Sequence, residues 1–169
     1  WLQLIKDFNL QLMPTSIAIR GDLTRNFRKI QLRNSDLTTE GLLPTFEKAF
    51  LFNRAYNVNW ALSQNLGIDY SALANAIVDE PAGDIDTQLK RDQIMENLRD
   101  FGRMKRFNQT IGLNYRVPFD KFPLTNWLKA DTRYTAGIDW VAGTLGIADT
   151  LGNNIRNNNS MAVNGQIDL

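Results

Sequence analysis

The feature that most constrains this chain is alternation sustained over long runs, joined by short turns. The clearest copy runs from Arg54 to Leu62, turns through Ser63-Gln-Asn65, and continues from Leu66 to Ala74. Successive side chains of a strand point to opposite faces. Tyr56, Val58, Trp60 and Leu62 therefore project one way, and Asn57, Asn59 and Ala61 the other. One face is apolar and aromatic, the other rich in amides. The runs are long, and the polar face uniformly polar, compared with a soluble sandwich.

The unit recurs. Phe8–Met13 is followed by Pro14-Thr-Ser16 and a second run, Ile17–Phe27, in which Ile17, Ile19, Leu23 and Phe27 share a face opposite Arg20, Asp22, Thr24, Asn26 and Arg28. A third unit joins Phe107–Val117 to Leu128–Trp140 through a segment carrying Pro118, Phe119, Phe122, Pro123 and Trp127. A last run, Met161–Leu169, has no partner after it. The count predicts about seven strands. The segments 32–48, 79–102 and 143–158 are long, polar loops, so short turns alternate with long ones. Outer-membrane barrels segregate their connections in this way, with short periplasmic turns and long external loops.

Within the second loop, Ile94, Leu98 and Phe101 fall at helical spacing. An amphipathic helix is expected over 84–101, capped by Asp84 or Asp86, ended by Gly102 and packed on the mouth of the sheet.

Composition removes several classes of function. The 169 residues carry a net charge of +1, no Cys and no His. Disulfides and thiolate chemistry are excluded, and the commonest general base and metal ligand is missing. No run approaches the roughly 18 apolar residues of a spanning helix, a test that barrel strands escape because half of each is polar. The chain starts at Trp1 and stops within an alternating run, which leads us to expect an internal portion of a longer polypeptide.

Candidate chemistry is sparse. Asp79, Glu80, Asp84 and Asp86 form an acidic cluster, but their spacing is not that of an EF-hand, and a solvated loop with a capping residue is the reading that prevails. Arg103, Lys105 and Arg106, with Lys90, Arg91 and Arg99, are diluted by Asp92, Glu96 and Asp100 and make no nucleic-acid footprint. Gly137, Gly143 and Gly146 lack the Lys-Ser/Thr of a phosphate loop. Neither a catalytic motif nor a cofactor site is expected. Instead, Asn57, Asn59, Asp69, Asn114 and Asp139 are the candidate lumen-facing set. Tyr56, Trp60, Tyr115, Trp127, Tyr134 and Trp140 are the candidate lipid-facing or girdle set, because amphipathic rings favour the headgroup region.

Taken in order, the segments FNLQLMPTSIAIRGDLTRNF, FLFNRAYNVNWALSQNLGIDYSALANA, ENLRDFGRMKRFNQTIGLNYRVPFDKFPLTNW and TRYTAGIDWVAG resemble the SprA (Sov) family. That family is the outer-membrane translocon of the type 9 secretion system of Bacteroidota. The resemblance extends over essentially the whole chain. It implies an all-β fold: a segment of one very large transmembrane antiparallel β-barrel, with residues 1–169 forming part of its wall. It implies a non-enzymatic conduit in the outer membrane of a Gram-negative cell, exporting folded cargo proteins with C-terminal secretion signals, including gliding-motility adhesins. The partners it implies are that cargo, a PorV-like shuttle barrel, a plug protein, periplasmic accessory proteins and outer-membrane lipid. No functional residue carries over. Two other readings stand beside it: another outer-membrane barrel such as a porin or receptor, and a soluble all-β binding module.

Overall fold

A computed structural model of the chain describes residues 10–32, 43–121, 124–125, 127–144, 146 and 152–168. Among them lie six strands: β1 (Ser16–Ile30), β2 (Thr45–Ala61), β3 (Leu66–Ile77), β4 (Arg103–Val117), β5 (Leu128–Val141) and β6 (Asn154–Ile167). One α-helix, α1 (Gln88–Arg99), separates β3 from β4, and a 3-10 turn spans Phe119–Lys121. The strands form a single antiparallel sheet in sequence order, with β1 and β6 as its outer strands. The fold is thus all-β with one helix, and the sheet is open rather than closed into a barrel.

The strand count and limits depart from the alternation at three places. Part of the first expected run, Phe8–Met13, lies outside the described residues, and Leu10–Met13 is not strand. The backbone N–H of Gln11 nevertheless donates to Leu62 O at 2.9 Å, which ties that segment to the end of β2. β2 begins at Thr45, well inside the expected 32–48 loop. β6 begins at Asn154 and takes in an Asn-rich stretch of low strand propensity, because β5 supplies a continuous ladder from Val141↔Asn154 to Leu128↔Ile167.

The chain packs as two compact units. The first comprises residues 1–20, 55–74 and 106–169, and the second residues 21–54 and 75–105. In the first unit β4 and β5 pair from Arg106↔Val141 to Val117↔Ala130, so Leu113 sits opposite Tyr134 and Asn114 opposite Arg133. Its buried apolar side chains, among the described residues, are Ala72 and Ala74.

The second unit holds α1, whose start differs from the expectation. Thr87, in extended conformation, is the N-cap and accepts from the Lys90 N–H. Neither Asp84 nor Asp86 caps, because each carboxylate is bound by a lysine: Asp84 by Lys29 and Asp86 by Lys90, both at 2.9 Å. The helix ends at Arg99, two residues before the expected 101, and Phe101 at φ +63° takes the closing left-handed position ahead of Gly102. Gly102 at φ +69° donates its N–H to Asn97 O, and Phe101 N–H donates to Leu98 O, the paired bonds of a Schellman turn. The helix lies against a sheet face rather than across strand ends: Ile94 is buried, Phe101 stacks on Phe52, and Ala76 and Val78 are buried in the same unit.

Candidate functional site: a two-faced sheet

In the first unit all five candidate lining residues share one side of the sheet. Asn114 Nδ2 donates to Asp69 Oδ2 at 2.9 Å, joining β4 to β3. Asn59 Nδ2 donates to Ser16 Oγ at 3.0 Å, joining β2 to β1. Arg106 grips Asp139 with Nε and Nη2 at 2.9 and 3.0 Å, joining β4 to β5. Even-numbered positions of β4 and odd-numbered positions of β5 therefore lie together. Arg116 repeats the pattern on Asp131 at 3.0 Å, while Asn57 falls on the same side of β2 as Asn59 by alternation.

The result is a row of hydrogen-bonded amides and ion pairs crossing the strands. Arg106, Arg116, Asp131 and Ser16 belong to that row, although the sequence alone did not place them there. Arg106 reads as part of a basic run until the ladder sets it diagonally across from Asp139. Small residues keep the row low. Gly112 lies against Asp69, and a Cβ at Gly137 would fall 2.5 Å from Asn158 Oδ1, so glycine there leaves the amide its room.

The other side carries the aromatic candidates. Leu113 pairs with Tyr134, Phe107 with Trp140, and Tyr134 in turn with Met161. Tyr56 and Trp60 of β2, and Tyr115 of β4, take the matching parity. The polar atoms of several rings are satisfied locally: Trp60 Nε1 donates to Gln11 O at 2.7 Å, and Tyr70 Oη donates to Gln109 Oε1 at 3.2 Å. Trp127 stands apart from the five, in the turn before β5, with its Nε1 bound to Leu124 O at 2.8 Å. Large apolar side chains here stay accessible: Ile111 is 40%, Ile138 39% and Met161 67% exposed.

No family model and no curated protein matches the chain. What the two faces can do follows from their own chemistry. The polar face pairs Arg106 with Asp139 and Arg116 with Asp131 and offers amide groups between them, with no cluster of His, Cys, Asp or Glu suited to a metal among the described residues. The opposite face offers rings and aliphatic groups without a layer of hydrogen-bonding partners.

The acidic cluster of the second unit resolves into separate ion pairs. Arg103 forks onto Asp79, with Nε and Nη2 both at 2.8 Å, and holds that carboxyl below its usual range against a smaller opposing effect of burial. Arg25 binds Glu80 at 2.6 Å, and Lys29 lowers the Asp84 pKa by hydrogen bonding. These pairs secure the 79–87 segment to the sheet and to the start of β4.

Proposed function

We propose that this chain is part of the wall of an outer-membrane protein-conducting β-barrel, the SprA-like translocon of type 9 secretion. The carrying observation is the two-faced sheet of the first unit: ion pairs and amides on one side, accessible Ile111, Ile138 and Met161 on the other. A soluble sheet covers its apolar face with a second layer. A barrel wall covers it with lipid instead, and must then close, because no backbone group can stay unpaired in hydrocarbon. Strands of 14 and 15 residues in β4, β5 and β6 exceed the roughly 9–11 that cross a bilayer, which supports a wall standing taller than the membrane.

In this reading the polar face lines the conduit. Arg106 and Arg116 are already paired with Asp139 and Asp131, so a passing folded protein meets mainly amides and neutral pairs and is held weakly. The apolar face meets lipid, and Trp60 and Trp127, at the short-turn ends of β2 and β5, form the girdle on that side. Cargo with C-terminal secretion signals enters from the periplasm and leaves through a lateral opening toward the shuttle barrel, with a plug protein closing the opening at rest.

These 169 residues hold no cysteine, so once any elsewhere in the native-length protein are replaced by serine a direct test is open. Single cysteines are placed at Asn57, Asn114, Tyr134 and Ile138 in the native-length protein in cells. A membrane-impermeant maleimide should label the first two and spare the last two, and a photocrosslinker at Asn114 should capture secreted cargo. Equal labelling of all four sites points to a soluble module. A two-faced labelling pattern with no cargo crosslink points to another kind of outer-membrane barrel.

A further inference from the structure

The second unit contains a groove of about 450 Å³ between α1 and β1 that nothing in the conduit reading employs. Its walls are apolar: Phe27 from β1, Ile85 from the loop, and Ile94 and Met95 from α1. Arg25 and Arg91 stand at its rim, with Asp84 beside them. The charges sort by pairing. Arg25 is balanced by Glu80, whose side chain is only 3% exposed, and Asp84 is balanced by Lys29. One cation of the lining remains in surplus. No carboxylate among the described residues pairs with Arg91; Lys48, outside the lining, lies 5.6 Å from the Phe27 ring and donates to Pro81 O.

The surrounding surface has the same mixed character. Lys29 and Lys48 lie over the Phe46 ring at 5.5 and 5.7 Å, and Arg25 lies over Phe27 and Phe50 at 6.0 and 5.8 Å. Cations interleaved with rings make the chemistry of a membrane interface, where apolar bodies meet hydrocarbon and charged ends meet headgroups. A free phosphate ion would use the cations and leave the apolar walls idle. A neutral detergent would do the reverse. A phosphorylated lipid uses both.

From this combination we infer that the groove seats a phosphorylated lipid of the outer leaflet, its phosphate on Arg91 and an acyl chain against Phe27, Ile94 and Met95. The inference rests on the outer-membrane reading. The site is distinct from the polar row that would line the conduit.

The test uses the native-length protein, purified in mild detergent and exchanged into micelles containing a lipid A-type bisphosphorylated glycolipid, its dephosphorylated form, or inorganic phosphate alone. Retained lipid is measured by native mass spectrometry. The phosphorylated lipid should be retained and the other two should not. Arg91→Glu combined with Met95→Glu should weaken retention on the order of tenfold, since one carboxylate then repels the phosphate and the other stands on the acyl-chain wall. Arg91→Lys should retain the lipid. Both substituted positions are solvent-exposed, so folding is expected to survive; heat-modifiable electrophoretic mobility checks that it does. Equal retention of the dephosphorylated lipid, or no effect of the double substitution in a folded protein, overturns the site and leaves the barrel standing. Failure of the native-length protein to fractionate with the outer membrane overturns the barrel itself.

Discussion

Phe101 stacks on Phe52 with ring centroids 6.2 Å apart and planes 17° apart, while its own backbone sits at φ +63°. The left-handed conformation costs a side chain with a Cβ about 1 kcal/mol, and glycine is the usual occupant of that helix-ending position. The ring contact offsets the strain, and Arg54 covers the Phe101 ring at 4.8 Å. Phe101→Ala should keep the strain and lose the stack, loosening α1 by about 1 kcal/mol or more. Phe101→Gly should lose the stack and relieve the strain, and so end closer to the native protein. Hydrogen exchange of the α1 amides in the intact protein reads the order Phe, Gly, Ala. Equal protection in the two variants would show that the backbone there carries no strain.

Gly102 follows with a harder constraint. A Cβ at this position would lie 2.8 Å from the Ile77 carbonyl oxygen, a backbone atom that cannot rotate away, and φ is +69°. Gly102→Ala should therefore cost roughly 2 kcal/mol of local stability and expose the segment between α1 and β4 to limited proteolysis. Gly137→Ala is the control: its contact is the tip of the Asn158 side chain, which can turn aside, so the loss should be small.

Legibility in the sequence tracked how local the deciding physics was. The alternation of β4 and β5, and the end of α1 ahead of Gly102, follow from neighbours in sequence. The start of β2 was hidden because Lys48 occupies a position on the ring-bearing side and Glu47 stands beside it in sequence, which makes the stretch look like a charged loop. The rings of Phe27 and Phe46, 5.6 and 5.7 Å from the Lys48 ammonium, account for it. The amides of the candidate site were visible singly, from alternation. Their partners were not, since a register shift of one residue would reverse every face and the register is fixed only across strands.

The carboxylates that fasten the 79–87 segment predict an acid response. Arg103 lowers the Asp79 pKa, Lys29 that of Asp84 and Lys90 that of Asp86, chiefly by hydrogen bonding to each ionised form. A group whose folded pKa is depressed contributes stability above its unfolded value, near ~3.9 for Asp, and loses it as pH falls through the folded value. Protease protection of α1 should hold from neutral pH to about 5, then decline below about 4. The Asp79 pair is exposed, and after screening it contributes at most about 1 kcal/mol. High salt should therefore weaken the same protection at neutral pH. Protection that rises on acidification would contradict these pairings.

Ile138 and Thr135 lie three residues apart on β5 and on opposite faces, Ile138 with the aromatic candidates and Thr135 with the ion-pair row. That parity gives the sharpest test of which face meets lipid. In water a side chain 39% exposed can be exchanged for lysine at small cost. Facing hydrocarbon, the same exchange costs more, up to roughly 2–4 kcal/mol at the bilayer centre and less toward its interfaces. Ile138→Lys should therefore sharply reduce the folded, heat-modifiable form of the native-length protein in membranes, while Thr135→Lys, on the side already populated by Arg133 and Asp139, should be close to neutral. If both variants fold as well as the native protein, the apolar side of this sheet faces water or a soft protein surface, and the wall assignment fails. If the effects are reversed, the sheet is turned inside out, with Asn57, Asn59, Asp69, Asn114 and Asp139 on the outside.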